Sequence, residues 1–401
     1  MKFAHLADCH IGAWKEPKLR NANSKAFTKA IELCIAQKVD FILISGDLFN
    51  TALPSLDLLK LVVIKLKELR DLGISTYIIP GSHDFSPSGK TILDVLEKAD
   101  LLINVFKGKV VGKKLVLEFT TDEKTGVKIT GILGKRGMLE KHFYQSLDKK
   151  SLEDEPGYKI FMFHTALTEY KPKELKMMDS APSSFLPKNF NYYAGGHIHY
   201  VFEKREKNNL LIYPGPLFPN NFREIENLGV GSLYIITDNK PEFYPIQVYP
   251  SLSIKIKGDN KTPEQIEGEI KENIKNKEFN NTIVTIRVSG ELKTGKPTDI
   301  NFKSIFAELY LKSAYFVMKS TSMLSSKEFK DIKISDSPTT DIENFLIEED
   351  LKSKNEISKK DLIKSLIILL DKEKEEGEKV NDFEHRIHDD LIKALKVDDL
   401  F

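Results

Sequence analysis

The stretch MKFAHLADCHIG (residues 1–12) decides how the chain is read: a short apolar run leads straight into Asp8-Cys9-His10. The pattern recurs. Val39 to Ser45 leads into Gly46-Asp47, and Ser75 to Pro80 leads into Gly81-Ser82-His83-Asp84. Tyr158 to Phe163 leads into His164, and Asn191 to Ala194 leads into Gly195-Gly196-His197-Ile198-His199. Each run has the length and composition of a buried strand. In an open α/β sheet, loops at the carboxyl ends of strands face one crevice, so five such loops can converge. Asp8 and His10, two apart on an extended strand end, are predicted to point to one side, with Cys9 on the other. Gly-His-Ile-His places two imidazoles on one face by the same rule. One histidine alone is more often structural. Five histidines with carboxylates at strand ends read as a metal centre. Hard oxygens mixed with imidazole nitrogens suit Mn²⁺, Fe²⁺ or Zn²⁺. A shared carboxylate such as Asp47 can hold two metals about 3.5–4 Å apart, the arrangement used for phosphoester cleavage.

Between the runs, residues 21–37, 55–71 and 88–99 carry helical spacing, which gives a βαβαβα order and a parallel sheet. Residues 200–247 read as antiparallel hairpins. The fold class predicted for 1–250 is therefore α/β, a sandwich with mixed sheets flanked by helices. Pro250 marks a boundary, followed by a small α+β module at 251–325. There, Thr262 caps a helix that has Pro263 in its first turn. Residues 326–357 read as a linker, and 358–401 as a helical hairpin with apolar stripes, including Phe383, Ile387, Leu391 and Leu395. A hairpin of that size stabilises itself poorly, which predicts docking on another chain.

At 401 residues, with 41% hydrophobic and 30% charged residues, the chain is long enough for two or three domains. Two cysteines, Cys9 and Cys34, do not make a disulfide scaffold and fit a reducing cytoplasm. No apolar run is long enough to span a bilayer, and a strand bearing ligands at the N-terminus predicts no cleavable leader. Net charge is +1, but residues 341–401 hold 18 Asp+Glu against 11 Lys+Arg. A mildly basic body with an acidic tail suits a nucleic-acid enzyme whose tail meets a protein.

The ordered set Asp-x-His, Gly-Asp, Gly-x-His-Asp, His and Gly-His-x-His resembles the calcineurin-like metallophosphoesterases. Asp8-Cys9-His10-Ile11-Gly12, Gly46-Asp47-Leu48-Phe49-Asn50 and Tyr213-Pro214-Gly215 resemble, more narrowly, the double-strand-break repair nucleases of the meiotic recombination eleven and SbcD type. The resemblance covers the whole chain and implies a two-sheet phosphoesterase sandwich, a DNA-contacting cap and a C-terminal hairpin that binds an ABC-type ATPase. It implies a homodimer, a pair of Mn²⁺ ions (Mg²⁺, Fe²⁺ or Zn²⁺ being the chemical alternatives), and cleavage of double-stranded ends and of single strands. By matching position, Asp8, His10, Asp47 and His199 would hold one metal, and Asp47, Ser82, His164 and His197 the other. His83 would be the non-ligating catalytic histidine, with Asp84 to orient it. Ser82 departs from the family's asparagine; a hydroxyl on a shorter arm is a poorer ligand, which implies a weaker second site.

Lys15, Lys18, Arg20, Lys135 and Arg136 are candidates to grip phosphates. Trp14 reads as packing or as a stacking surface. The stripe Leu58/Val62/Leu66/Leu69, with Ile92, Leu93 and Leu96, can build either a four-helix dimer or the domain's own core. Two rivals to the nuclease stay open: a general phosphodiesterase or phosphatase, and a DNA-end-binding scaffold with a weakened second site.

Overall fold

The computed structural model describes residues 1–85, 91–207, 209–327, 366, 369, 372 and 380–395. β1 (Lys2–Leu6), α1 (Pro17–Ala36), β2 (Phe41–Ser45), α2 (Leu56–Asp71), β3 (Ser75–Ile79), α3 (Ile92–Lys98) and β4 (Ile103–Asn104) alternate as read from the sequence. A hairpin β5 (Gly108–Val111) and β6 (Lys114–Leu117) precedes β7 (Thr120–Thr121) and β8 (Lys128–Ile132). Then follow α4 (Lys141–Ser146), α5 (Lys149–Asp154), β9 (Lys159–His164) and β10 (Tyr192–Gly196). β11 (Val201–Glu206), β12 (Asn209–Pro214), α6 (Phe222–Leu228), β13 (Gly231–Thr237) and β14 (Lys240–Ile246) complete the large domain.

Two six-stranded mixed sheets result, in the orders β14-β13-β1-β2-β3-β4 and β11-β12-β10-β9-β8-β7. The hairpin β13–β14 joins the first sheet antiparallel to β1, and β11 pairs antiparallel with β12 in the second. Every strand that precedes a histidine or aspartate motif lies inside a sheet. β1, β2 and β3 are adjacent in one, β9 and β10 in the other. Between the sheets Phe3, Phe41, Tyr77, Ile160, Met162, Tyr192 and Ile212 form a continuous core. Phe3 and Phe41 stack with centroids 5.0 Å apart. Because both sheets are faced by apolar groups, their strands are nearly uninterrupted hydrophobic runs, which made them legible.

The stripe offered for a dimer has a different use. Val62, Leu66, Leu69, Leu93 and Leu96 are buried in the core that α1, α2 and α3 form on the outer face of the first sheet, with Leu58 and Ile92 packed against it. The exposed apolar residues of α2 and α3 are others: Leu56, Ile64 and Val95.

The small module holds β15 (Ser251–Lys257), α7 (Pro263–Ile274), β16 (Ile283–Leu292), α8 (Phe302–Leu311) and β17 (Phe316–Ser326). Its three strands are parallel, with β16 central. Thr262 caps α7 in a full capping box, and Ile266, Ile270, Phe279, Ile286 and Ile305 make its core. A separate compact unit begins at Phe329, within which α9 (Val380–Leu395) is a helix as predicted. The predicted linker and the first helix of the hairpin lie, apart from isolated positions, outside the described residues.

Candidate metal centre

The five motif loops meet at the carboxyl ends of β1, β2, β3, β9 and β10. Their backbones interlock: Asp8 N donates to Gly46 O (3.2 Å), His10 N to Asp47 O (2.9 Å) and Ile11 N to Leu48 O (3.0 Å). The loops are not extended continuations of the strands. Asp8 (φ 50°), His10 (41°), Asp47 (52°), His197 (96°) and His199 (44°) all take left-handed backbone conformations. This corrects the period-two reading of Asp8 and His10, since the main chain coils to reach the neighbouring loop. Such conformations cost on the order of 1–3 kcal/mol each and gather where function demands them. Cys9 does turn away, into the core beside α1. Gly46 is obligatory: at φ 84°, a Cβ there would sit 2.1 Å from His164 Nδ1. Gly81 likewise lies where a Cβ would meet Asp47 Oδ1 at 2.3 Å.

Asp47 is the hub. Its Oδ2 lies 3.1 Å from His164 Nε2, 3.4 Å from His10 Nε2 and 3.4 Å from Ser82 Oγ, while Oδ1 accepts from His83 N at 2.7 Å. Asp8 accepts from His197 N through both oxygens at 3.0 Å, and its Oδ1 is 3.7 Å from His199 Nε2. His10 Nε2 and His199 Nε2 face each other at 2.9 Å. His197 packs edge-on to His164, with centroids 5.0 Å apart. Asp8–His10–His199, His10–Asp47–His83 and Asp8–Asp47–His164 each bring their donor atoms within 4.8 Å of one another.

The donors fit a divalent pair. Ser45 O accepts from His164 Nδ1 at 2.8 Å, so Nδ1 carries a proton and Nε2, 3.1 Å from Asp47 Oδ2, is the ring atom left to face a cation. Among the described residues His164 Nε2 and His10 Nδ1 are buried without a hydrogen-bond partner. Two imidazole nitrogens at 2.9 Å need either a shared proton or a cation between their lone pairs.

The electrostatics agree. Burial opposes charge on Asp47, but His164, His10 and His83 overcome it and hold its carboxyl well below the usual range. Burial would lower His164; Asp47 and Asp8 outweigh it and raise the ring to about 10, so without a cation Nε2 carries a proton beside Asp47, in the place where a metal would sit. His199 rises to about 9 against burial, through Asp8 and Glu224. Burial dominates at His197, pushed down to about 3, and at His10, held well below the ordinary value.

The comparison with known families places the chain. The family description "Calcineurin-like phosphoesterase" matches residues 1–201. The chain belongs to the calcineurin-like phosphoesterases. Enzymes of this family hold a dinuclear metal site, and the three donor groups above are this phosphoesterase's candidates for it. The chain is 27% identical over 283 residues to the DNA double-strand break repair protein Mre11 of Archaeoglobus fulgidus, a match covering 65% of this chain and 62% of that one. The protein of that name from Methanocaldococcus jannaschii is 30% identical over 245 residues, 58% and 61% of the two chains. An uncharacterized metallophosphoesterase of Bacillus subtilis, YhaO, is 26% identical over 243 residues, 57% and 56%. The chain thus spans about three fifths of the length of these relatives. No described helix is long and apolar enough to cross a membrane.

Several predicted site residues of the phosphoesterase have other partners. Asp84 does not hold His83: it is fully buried and accepts from Gly81 N (2.8 Å) and Phe49 N (3.2 Å), while His83 Nδ1 bonds Asn50 O at 2.9 Å. Burial and the neighbouring Asp47 raise the Asp84 carboxyl to about 7. Lys18 Nζ donates to Tyr315 O at 3.2 Å and lies over two tyrosine rings of the small module. Arg20 donates to Trp14 O and Lys15 O. Both cations tie α1 to neighbouring carbonyl oxygens. Lys135 lies over the Phe143 ring, Lys15 is exposed, and Arg136 Nε reaches Ser82 O at 3.3 Å, beside the centre. Trp14 packs, its indole donating to Pro219 O at 2.9 Å.

Two residues escaped the sequence reading. Glu224, on α6, accepts from His199 Nδ1 at 3.0 Å and fixes that ring. Its one signal is the Asn221-x-x-Glu224 spacing, which marks a helix start. His5 is buried between the sheets, bonding Tyr192 OH (2.8 Å) and Ser45 Oγ (2.9 Å) beneath the loops.

Proposed function

We propose that the chain is a Mn²⁺-dependent DNA nuclease of double-strand-break repair. It acts on double-stranded ends as an exonuclease and on single strands as an endonuclease, in company with an ABC-type ATPase. The observation that carries the reading is His164 Nε2, left facing the shared carboxylate of Asp47 by the Nδ1–Ser45 bond, inside a matched phosphoesterase domain. The relatives bearing the name of a DNA double-strand break repair protein point to DNA.

In this reading Asp8, His10, Asp47 and His199 hold one metal, and Asp47, Ser82, His164 and His197 the other. A bound divalent pair supplies an activated water for in-line attack on phosphorus and offsets charge on the non-bridging oxygens. The residues of the chain do the rest. The Asn50 carbonyl takes Nδ1–H of His83, so Nε2 is the atom that passes a proton to the leaving oxygen. Asp84 shapes the loop that carries His83 through its two backbone bonds. Lys15 and Arg136 steer phosphates. Residues 1–250 form the nuclease domain, 251–325 a cap over DNA, 326–357 a linker, and 358–401 the ATPase-binding hairpin. Exposed Leu56, Ile64 and Val95 are the apolar surface through which a homodimer would form.

The test is cleavage of linear double-stranded and circular single-stranded DNA with Mn²⁺, by wild type and His83→Ala. Cutting of both substrates that falls by about 10²–10⁴-fold in the variant, with metal stoichiometry unchanged, supports the reading. Hydrolysis of small phosphodiesters without DNA cleavage would replace it with the general phosphodiesterase. DNA binding with neither activity would favour the scaffold.

A further inference from the structure

Helix α6 carries two carboxylates two residues apart, about 200° around the axis from each other, so they face opposite ways. Glu224 faces the metal centre, and His199 Nδ1 lies 3.0 Å from its Oε1. Its other donors are Asn220 N (2.8 Å) and Asn221 Nδ2 (2.5 Å). Glu226 faces the small module, where Arg287 of β16 grips it through Nε (3.0 and 2.9 Å) and Nη2 (2.6 Å). The Glu226 side chain is 4% exposed and that of Arg287 20%, which makes this a largely desolvated, bidentate pair. The Arg287 guanidinium also lies 4.9 Å from the Phe222 ring at the start of α6. At the far end Ser251 Oγ, on β15, donates to Gly229 O at 2.8 Å, just past the last turn.

A seven-residue helix cannot hold itself in place; its position is set by whatever it packs on. Here Ile225 seats it on the core of the first sheet and its other face meets β15 and β16 of the small module, while Glu224 fixes a metal-facing imidazole. We propose that Glu224 is a positioning residue for His199, and that Arg287 acts on the same imidazole through Glu226 and the body of α6. The seating of the small module therefore sets how well His199 Nε2 is presented to a metal. A carboxylate that takes the far N–H of a ligating imidazole orients the ring and raises its basicity, so its loss weakens metal binding. The proposal rests on reading the centre as a metal site, and it adds to that reading two residues outside every motif loop.

The test is a Mn²⁺ titration of the full chain, free ion being followed by its paramagnetic resonance signal. Wild type is compared with Glu224→Ala, Arg287→Ala, Arg287→Lys and the double variant Glu224→Ala/Arg287→Ala. Glu224→Ala should weaken one of two sites by about 10–100-fold. Arg287→Ala should weaken that same site by roughly three- to tenfold, Arg287→Lys by less, and the double variant should be no weaker than Glu224→Ala alone, because both act through one helix. Arg287→Ala with a lowered melting temperature but wild-type Mn²⁺ affinity would overturn the proposal, as would additive losses in the double variant. If Arg287→Ala does not fold, Arg287→Lys, which keeps the charge and loses the fork, decides by the same criterion. A wild-type chain that takes up no Mn²⁺ would instead overturn the metal-site reading on which the proposal stands.

Discussion

The loop end of the two sheets and the small module handle the same backbone feature in opposite ways. The module has left-handed residues at Asn260, Asn281 and Ser313, each exposed and each at a turn. They are ordinary chain reversals, two of them asparagine, which tolerates that conformation. The metal centre has five, at Asp8, His10, Asp47, His197 and His199, the first three fully buried and all carrying donor groups. Its side chains are strongly coupled, His164 Nε2 lying 3.1 Å and His10 Nε2 3.4 Å from one oxygen of Asp47. The module is satisfied as it stands: capped helices, parallel strands and an isoleucine-rich core. One region uses its packing for stability, and the other holds strained backbone and clustered donors at one point.

The largest expected effect sharpens that contrast. Asp47→Asn removes the charge shared by His10 and His164, so Mn²⁺ uptake should drop below two ions and DNA cleavage should fall by at least about 10³-fold. Two tightly held Mn²⁺ ions in the variant would show that Asp47 is not the bridge. Next is Ile270→Ala, at a fully buried position of α7. It should cost about 2–5 kcal/mol in urea unfolding, and below the transition it should leave Mn²⁺ affinity as in wild type. A loss of Mn²⁺ affinity in the folded variant would break the division of labour between the regions.

A third effect reaches beneath the centre. Burial pushes His5 down to about 3, against a weaker opposing hydrogen bond from the ring to the Gly195 backbone. Its unfolded value is near 6.5, so the unfolded chain binds the proton first as pH falls. The stability that His5 contributes is full above pH about 6.5 and drains by about 1.4 kcal/mol per pH unit toward pH 3. Urea titrations with chelator at pH 7, 6 and 5 should show His5→Gln losing stability less steeply than wild type. Parallel slopes would mean that the acid sensitivity lies elsewhere.

What the sequence disclosed follows from the same contrast. Strands buried on both faces are continuous apolar runs, so β1, β2, β3, β9 and β10 could be found, and a donor at the end of each marked the centre. The allocation of strands between two sheets was not legible, because β13 and β14 read as a local hairpin yet close the first sheet against β1. Loop geometry was not legible either. Period-two reasoning assumes extended backbone, and Asp8 and His10 are coiled. Glu224 and His5 escaped because their importance lies in contacts 25 and 187 residues away, to His199 and Tyr192. The partners of Lys18 and Arg20 were not legible, since a basic residue near a motif looks the same whether it meets a phosphate or the carbonyl oxygen of Tyr315 or Trp14. The α2 stripe was read for two uses, and burial selects the core.

The smallest effect concerns Ser82, the chief departure from the motif that the chain resembles. Its hydroxyl lies 3.4 Å from Asp47 Oδ2 and is held in a loop pinned by Asp84 and by Arg136. A hydroxyl is a weaker neutral donor than an amide oxygen and has a shorter reach, so in the proposed ligand set a second metal would depend on Asp47, His164 and His197 with little help. Ser82→Asn should therefore tighten the weaker of two Mn²⁺ sites by roughly tenfold, about 1.4 kcal/mol, and leave the stronger one unchanged. Activity should rise at limiting Mn²⁺ and converge with wild type at saturation, because the gain is in occupancy and not in chemistry. Weaker binding in Ser82→Asn would mean that the pocket is shaped to the smaller side chain. The strain at this end of the molecule would then be tuned to serine and not merely tolerant of it.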